Sequence, residues 1–466
     1  MGLVNIPRLL VAGTNSGAGK TTVTVSLCGA LRQMGLRVAL FKCGPDYLDP
    51  TYHARASGQR CHNLDGWMMG REAALSTFSN AVKDADIALI EGVMGLYDGV
   101  DATSDTGSTA EMARWLQAPV VLVVDAGGMS RSIAAMAQGF ADFDPAVNVA
   151  GVICNRVGSR GHLDLLVKAS VRIPVLGGLP RDAAGTFPER HLGLLTASEA
   201  GLPNELFDTW GTRATEWCDM EKLLALAGTA GPLKQHPEPH VTPQVTPHGR
   251  PNRARCRIGV AMDEAFHFYY DHNLRLLEQS GAELVPFSPL HGTGLPAVDG
   301  LYLGGGYPEV HAAGLSANSN MRHEMHEFCA SGKPVYAECG GLMYLCSAIR
   351  ARDGCRHEMV GWFTAEAVMN DRLQALGYAE VTTTASSLLG PSGQTFRGHQ
   401  FRYSTLEWQG SPATAYMLTS RRTGTGTAEG YCRGNVIGSY VHAHWASNPG
   451  LASALVNACC VNPVSQ

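Results

Sequence analysis

The sequence predicts an α/β protein of two domains, the first built on a doubly wound parallel sheet. Three observations carry that expectation. Short apolar runs at 9–12, 87–90 and 120–124 alternate with stretches of helical periodicity, as strands buried on both faces do. A tract over 234–256, with Pro237, Pro239, Pro243, Pro247 and Pro251 and almost no apolar residues, breaks the alternation and reads as a semi-rigid linker. A second α/β alternation begins at Arg257, and 466 residues suffice for two cores. The expected division is therefore 1–233, a linker over 234–256, and 257–466. The linker histidines His236, His240 and His248 are irregularly spaced, which suits a solvated tether better than a metal site.

The strand at 9–12 runs into Gly13-Thr14-Asn15-Ser16-Gly17-Ala18-Gly19-Lys20-Thr21-Thr22, and a helix is predicted over 23–34. Backbone N–H groups of such a turn point inward and, with the helix N-terminus, cradle an anion. Gly13, Thr14, Asn15, Gly17, Ala18, Gly19 and Thr22 form the cradle, Lys20 reaches the outer phosphates of a nucleotide, and Thr21 can hold Mg²⁺. The strict P-loop pattern has glycine where Thr14 stands, so this is a variant loop. The expected ligand is a nucleoside triphosphate.

A second strand, 37–41, leads into Lys42-Cys43-Gly44-Pro45-Asp46-Tyr47-Leu48-Asp49-Pro50, a loop projecting Lys42, Asp46 and Asp49 from the sheet's carboxyl edge. Open α/β sheets bind ligands at that edge, although an ordinary acidic turn is the plain alternative. The strand at 87–90 ends in Glu91, followed by Gly92-Val93-Met94-Gly95-Leu96-Tyr97-Asp98-Gly99. A carboxylate at the tip of a buried strand beside a P-loop serves Mg²⁺, directly or through water. Further strands are expected at 120–124, at 149–154, which ends in Asn155-Arg156 facing a base or phosphate, and at 173–180.

Composition excludes some partners. Lys plus Arg number 36 against 41 for Asp plus Glu, a net charge of −5, which argues against nucleic acid as the main partner. Residues 1–8 show no secretory pattern and no run is long enough to span a bilayer, so a cytoplasmic protein without membrane partners is expected. The 13 cysteines lack metal-type spacing and read as thiols of a reducing compartment.

In the second domain, strands are expected at 257–262, 282–287 and 300–303 and a helix at 274–280. The strand at 300–303 opens into Gly304-Gly305-Gly306-Tyr307-Pro308-Glu309. His323 and His326 are too close in sequence for a zinc helix. Pro334-Val335-Tyr336-Ala337-Glu338-Cys339-Gly340-Gly341-Leu342 reads as a strand, a sharp turn exposing a cysteine, and a helix whose N-terminus favours thiolate. Backbone N–H groups of Gly340 and Gly305 are candidates for an oxyanion hole, and His442 and His444 arrive at a later strand end. A buried structural cysteine is the alternative. Elbow, glycine loop and downstream histidine in this order favour a nucleophile.

These motifs together resemble the cobyrinic acid a,c-diamide synthase family of corrin-ring amidases, over nearly the whole chain except the linker and the last dozen residues. Pro188-Glu189-Arg190-His191-Leu192-Gly193-Leu194 and Gly438 to His442 add to the resemblance. It implies a dethiobiotin-synthetase-like ATP domain fused to a triad-type glutamine amidotransferase domain. It further implies that Cys339 and His442 hydrolyse glutamine, that Asp46, Asp49, Thr21 and Glu91 organise Mg-ATP, and that Tyr47, Leu48 and Asp98 face the ring substrate. Small-molecule substrates (corrinoid carboxylic acid, glutamine, ATP) are then the partners, with a homodimer as the assembly to test.

The chain departs from the wider amidotransferase class at one place, where the resemblance points to a subfamily lacking the acid, and from the family itself at another. Ordinary members of the amidotransferase class have glutamate two residues after the histidine, where this chain has His444. Cys339 and His442 acting as a pair is the favoured reading, with His444 as the alternative third member. The family's Gly-His-Glu-Phe-His reads Gly398-His399-Gln400-Phe401-Arg402, so no role is carried onto that stretch. Rivals are a sister amidase of another ring (hydrogenobyrinate, nickel-sirohydrochlorin or a cobyric acid precursor), a partition-type P-loop ATPase, and a degenerate amidotransferase that only binds. Thr14-Asn15-Ser16 lacks the early lysine a partition ATPase would carry.

Overall fold

The computed structural model describes residues 3–170, 172–181, 189–190, 193–194, 201–236, 254–421 and 424–461. Most of the expected linker (237–253), and Pro188, His191 and Leu192 of the family motif, lie outside the described residues. The chain divides into two compact units, Met1–Pro239 and His240–Gln466. Among the described residues no helix is long and apolar enough to cross a membrane.

The first unit carries a seven-stranded parallel sheet in the order His62–Leu64, Val38–Cys43, Ile87–Glu91, Arg8–Gly13, Val120–Asp125, Val149–Val157, Val175–Pro180. Its central strands are mostly apolar because both faces are covered. Leu10 and Ala12 join one core layer, while Leu9 and Val11 join the other. Each fully buried leucine or phenylalanine contributes about 1.5–3 kcal/mol. The central strand also begins with a buried cation, Arg8, tolerated because it donates to the carbonyls of Ile6, Leu116 and Gly231. Strands lying sequentially first, second and fourth end side by side here, so the P-loop, the Asp46 loop and Glu91 emerge together at the carboxyl edge.

Local boundaries differ from expectation where chemistry is concentrated. The first helix is Lys20–Gln33, so Lys20 and Thr21 sit in its first turn. The second strand runs on to Cys43, which places Lys42 inside the sheet rather than in a loop. Asp49 opens a helix, Asp49–Ser57, with Pro50 in its first turn, where a missing N–H costs nothing. The strand expected to end at 154 extends through Asn155 and Arg156 to Val157.

The second unit contains a ten-stranded sheet. Five strands are parallel, in the order Ala282–Phe287, Cys256–Ala261, Gly300–Leu303, Val335–Glu338, Val436–Ser439. The sheet then continues antiparallel through Gly426–Arg433, Ala413–Ser420, Ala375–Thr383, Thr395–Arg402 and His442–His444. The sequence reading did not anticipate this antiparallel half, whose alternation of buried and exposed residues is blurred by partial burial on both faces. Val436–Ser439 and His442–His444 are nearly continuous in sequence yet pair with different strands, so the chain changes pairing partners between Ser439 and His442. A separate four-stranded sheet packs Cys346–Arg350 and Phe363–Met369 between Arg356–Glu358 and Ser404–Trp408.

Candidate active site

In the first unit, a cleft of about 440 Å³ lies at the carboxyl edge, lined by the P-loop residues Ser16, Gly17 and Gly19 to Thr22, by Lys42, Asp46, Leu48, Asp49 and Tyr52, and by Glu91, Val93, Met94 and Arg156. Gly19 has φ +93°, and a Cβ there would lie 1.9 Å from Asn155 Nδ2, so only glycine fits. Asn155 donates to the Ala18 carbonyl at 3.0 Å and is buried. Its amide is thus tied to the loop beside Gly19. Lys20 Nζ donates to the Met94 carbonyl at 2.6 Å. Burial, then the neighbouring Lys42, lowers its pKa.

Glu91 is the hub of a buried ionic network. Its Oε1 accepts from Thr21 Oγ1 and from Lys42 Nζ, both at 2.8 Å, and its Oε2 lies 2.6 Å from His53 Nε2. Lys42 Nζ also donates to Asp49 Oδ2 at 2.5 Å and stands 3.8 Å from Asp46 Oδ2. Burial pushes the Glu91 carboxyl up, but Lys42 and His53 outweigh it and hold it below the ordinary range. For His53, burial is outweighed by Glu91, and the imidazole is raised to about 10. Burial and then Asp46 push Asp49 up to about 7, against the pull of Lys42.

Asp46 Oδ1 accepts from the N–H groups of Leu48 (2.8 Å) and Asp49 (3.1 Å), which shapes the entry to the helix. Asp98 Oδ2 accepts from Gly95 N–H at 2.9 Å and orders the loop beside Thr14. Leu48 lines the cleft; Tyr47 is half-buried beside it and does not. Gly13, Thr14, Asn15 and Ala18 lie behind or beside the lining, with Thr14 and Asn15 bonded to each other. Sequence reasoning missed His53. The one available signal was its spacing from Asp49, which places both on one face of a helix.

In the second unit, Cys339 adopts φ 44° and ψ −99° between the strand Val335–Glu338 and the short helix Gly340–Leu345. Positive φ is costly for a residue with a Cβ, and it is held here by the Cys339 N–H donating to Ser439 O at 2.7 Å. The glycine loop packs on the elbow, with Gly341 N–H donating to Gly304 O at 3.0 Å. His442 lies against the loop so closely that a Cβ on Gly305 would be 2.3 Å from its Cε1. Cys339, Gly305, Gly340 and His442 are thus brought to one place.

The thiol does not have the lowered pKa expected from the elbow. Burial pushes it up to about 12, Glu309 adds to the rise, and Arg402 and the Gly340 N–H oppose it. A helix of six residues offers too small a dipole to win. Burial likewise lowers His442 to about 3, so thiol and imidazole rest as a neutral pair. His444 Nδ1 accepts from Ala446 N–H at 3.3 Å, and its ring centroid lies 4.5 Å from that of Tyr270. It caps the turn Trp445–Ser447. His399, on which no role was placed, stacks against His442 at 5.0 Å.

Residues 9–194 match the CobQ/CobB/MinD/ParA nucleotide binding domain, and residues 257–450 match the CobB/CobQ-like glutamine amidotransferase domain. A cobyrinate a,c-diamide synthase of Leptospira interrogans is 48% identical over 98% of this chain and 99% of its own. Others from Syntrophotalea carbinolica (48%, covering 98% and 99%) and Listeria monocytogenes (41%, covering 95% and 97%) also align from end to end. A P-loop cleft within the matched nucleotide binding domain and a cysteine elbow in one chain, matched along its length by these relatives, place it: the chain belongs to the cobyrinate a,c-diamide synthase family.

Proposed function

We propose that the chain amidates the a- and c-carboxylates of cobyrinic acid, or of its metal-free counterpart hydrogenobyrinic acid, using ATP and glutamine. The observation that carries this is the coexistence of the Glu91–Lys42–Thr21 cleft with the Cys339 elbow against His442, in a chain whose full-length relatives bear that name.

In the glutaminase step His442 takes the Cys339 proton and the sulfur attacks the side-chain carbonyl carbon of glutamine. N–H groups of Gly340 and Gly305 receive the developing oxyanion. Return of the proton to nitrogen expels ammonia and leaves a glutamyl thioester. Water, deprotonated by His442, then displaces the sulfur, giving glutamate and the free thiol.

In the synthetase step the P-loop N–H groups and Lys20 hold the outer phosphates. A ring carboxylate oxygen attacks the γ-phosphorus and the bond to the bridging oxygen breaks, giving an acyl phosphate and ADP. Ammonia adds to the acyl carbon, phosphate departs with the C–O electron pair, and loss of a proton leaves the amide. A carboxylate is a poor acyl donor, and phosphorylation supplies the leaving group. Asp46 and Asp49 hold Lys42 beside the reacting oxygens, and Leu48, which lines the cleft, faces the ring, with Tyr47 beside it and Asp98 ordering the adjoining loop.

The donors present fit Mg²⁺. Thr21 Oγ1 and Glu91 Oε1 are 2.8 Å apart with Asp46 nearby, and Mg²⁺ takes one or two carboxylates together with phosphates and water. Among the described residues no three His, Cys, Asp or Glu side chains converge on a metal position. When bound, the ion offsets charge on the phosphate oxygens.

The test is a panel of tetrapyrrole carboxylic acids supplied with glutamine, ATP and Mg²⁺. A diamide should form with matching ADP and glutamate, and the acid that reacts identifies the ring and its metal state. ATP turnover indifferent to glutamine and to every ring acid would overturn the reading in favour of a partition-type ATPase.

A further inference from the structure

Gly398-His399-Gln400-Phe401-Arg402 is where this chain departs from its family's wording, and the reaction above gives it no task. The stretch ends the strand Thr395–Arg402, which pairs antiparallel with His442–His444 and sets His399 directly opposite His442. Directly opposed side chains share one face of a sheet and touch. The two imidazoles stack, with centroids 5.0 Å apart and planes inclined by 19°. His399 Nδ1 is hydrogen-bonded to the Tyr270 hydroxyl at 3.1 Å, which fixes that ring in turn. Both histidines are buried. The Cε1 edge of the His442 ring meets the Gly305 backbone, so the ring is held at its edge by main chain and on one face by His399.

His444, at the place of the usual acid, is engaged elsewhere. Its Nδ1 receives the Ala446 N–H and its ring faces Tyr270 and His272. The demand an acid would meet remains, because His442 must become an imidazolium in a buried place when the Cys339 S–H bond breaks and the electron pair stays on sulfur.

We infer that His399 is the positioning residue of the glutaminase pair: stacked on His442, it fixes the plane of that ring and disperses the charge the ring gains with the Cys339 proton. A cation over a neutral aromatic face is attracted to it, more so when water is excluded. The inference rests on the glutaminase reading above.

The full-length enzyme tests it with His399→Ala and His399→Phe. Three quantities are measured: kcat and KM for glutamine, amide formation from ammonium, and the rate at which iodoacetamide alkylates Cys339, read at its peptide by mass spectrometry. A small misplacement of a reacting group costs on the order of 100-fold, so His399→Ala should lower kcat about 10- to 100-fold with KM nearly constant. Alkylation should slow by a similar factor, because it too requires the thiolate. Synthesis from ammonium should persist, and His399→Phe, which restores a flat ring, should recover part of kcat. Unchanged kcat and alkylation in His399→Ala would overturn the proposal. So would a His399→Phe enzyme no better than His399→Ala, or loss of the ammonium-driven reaction in both. Undiminished glutamine use by Cys339→Ser would instead overturn the glutaminase reading and this inference with it.

Discussion

The carboxylate of Glu338 accepts the backbone N–H of Ala443 at 3.0 Å, so the residue before the nucleophile grips the residue after the histidine. Its oxygens also accept from the hydroxyls of Tyr336 (2.8 Å) and Tyr302 (3.0 Å). Together with the Cys339 N–H bond to Ser439 O, this fixes the elbow against the chain segment that delivers His442. The contact lives in packing and energetics, and its consequence is catalytic.

Glu338→Ala should therefore cost more than Glu338→Gln, since alanine leaves three buried donors unpaired at about 1–3 kcal/mol each. Glutamine keeps an oxygen for Ala443. Burial pushes the Glu338 carboxyl up to about 7, so between its ordinary range and pH 7 the folded protein holds a proton that the unfolded chain releases. The stability of wild type relative to Glu338→Gln should fall as pH rises through that window, by up to about 3 kcal/mol. Denaturant titrations of both proteins from pH 4.5 to 8 measure it. A flat difference would mean that Glu338 is not raised.

Cys339→Ser and His442→Asn should abolish glutamine-dependent amidation and leave ammonium-dependent amidation at high pH intact. The synthetase cleft is built within residues 1–239 and needs only a nitrogen nucleophile. His444→Asn should retain most glutamine use if it acts only as a cap. Amide formation from each nitrogen source is the measurement. Failure of Cys339→Ser with ammonium in a folded protein would assign the thiol to the wrong half-reaction.

Much of this was legible in the sequence because the chemistry sits in contiguous motifs at strand ends. The P-loop, Asp46, Asp49, Glu91 and the Cys339 turn each announce themselves by their neighbours. His53 and His399 do not. His53 reaches Glu91 only because a helix begins at Asp49, inside a stretch whose Gly44-Pro45 and Pro50 read as loop. His399 meets His442 through an antiparallel register between strands whose alternation is too weak to read. The thiol was misjudged for another reason: the elbow motif specifies backbone geometry, whereas burial, a property of the whole unit, sets the pKa.

His53→Gln should weaken Mg²⁺-dependent nucleotide binding about 10- to 100-fold, the usual loss when a residue orienting a metal-binding carboxylate is removed. Glu91 Oε2 would lose its ionic partner and the carboxylate would turn toward Lys42. Mn²⁺ electron paramagnetic resonance with a non-hydrolysable ATP analogue reads this without turnover. Glutamine hydrolysis should be untouched. Wild-type Mn²⁺ affinity would show that Glu91 needs no support from His53.

Asp46→Asn and Asp49→Asn separate scaffold from chemistry at the synthetase cleft. Asparagine preserves an acceptor oxygen at position 46, so the bonds from the Leu48 and Asp49 N–H groups survive and the helix entry should hold. What changes is charge around Lys42, which now touches Asp49 at 2.5 Å and Asp46 at 3.8 Å. Asp49→Asn removes the shortest ion pair of Lys42 and leaves it to Glu91 and the more distant Asp46. Removing one preorganised charge at a phosphoryl-transfer site costs about 100- to 1,000-fold in kcat. Both variants should lose that much amidation with glutamine and with ammonium alike, which distinguishes them from Cys339→Ser. Asp49→Asn should also remove a carboxyl raised to about 7, so the protein should lose less stability than wild type as pH rises from about 4 to 7. Wild-type turnover by either variant would remove that carboxylate from the reaction.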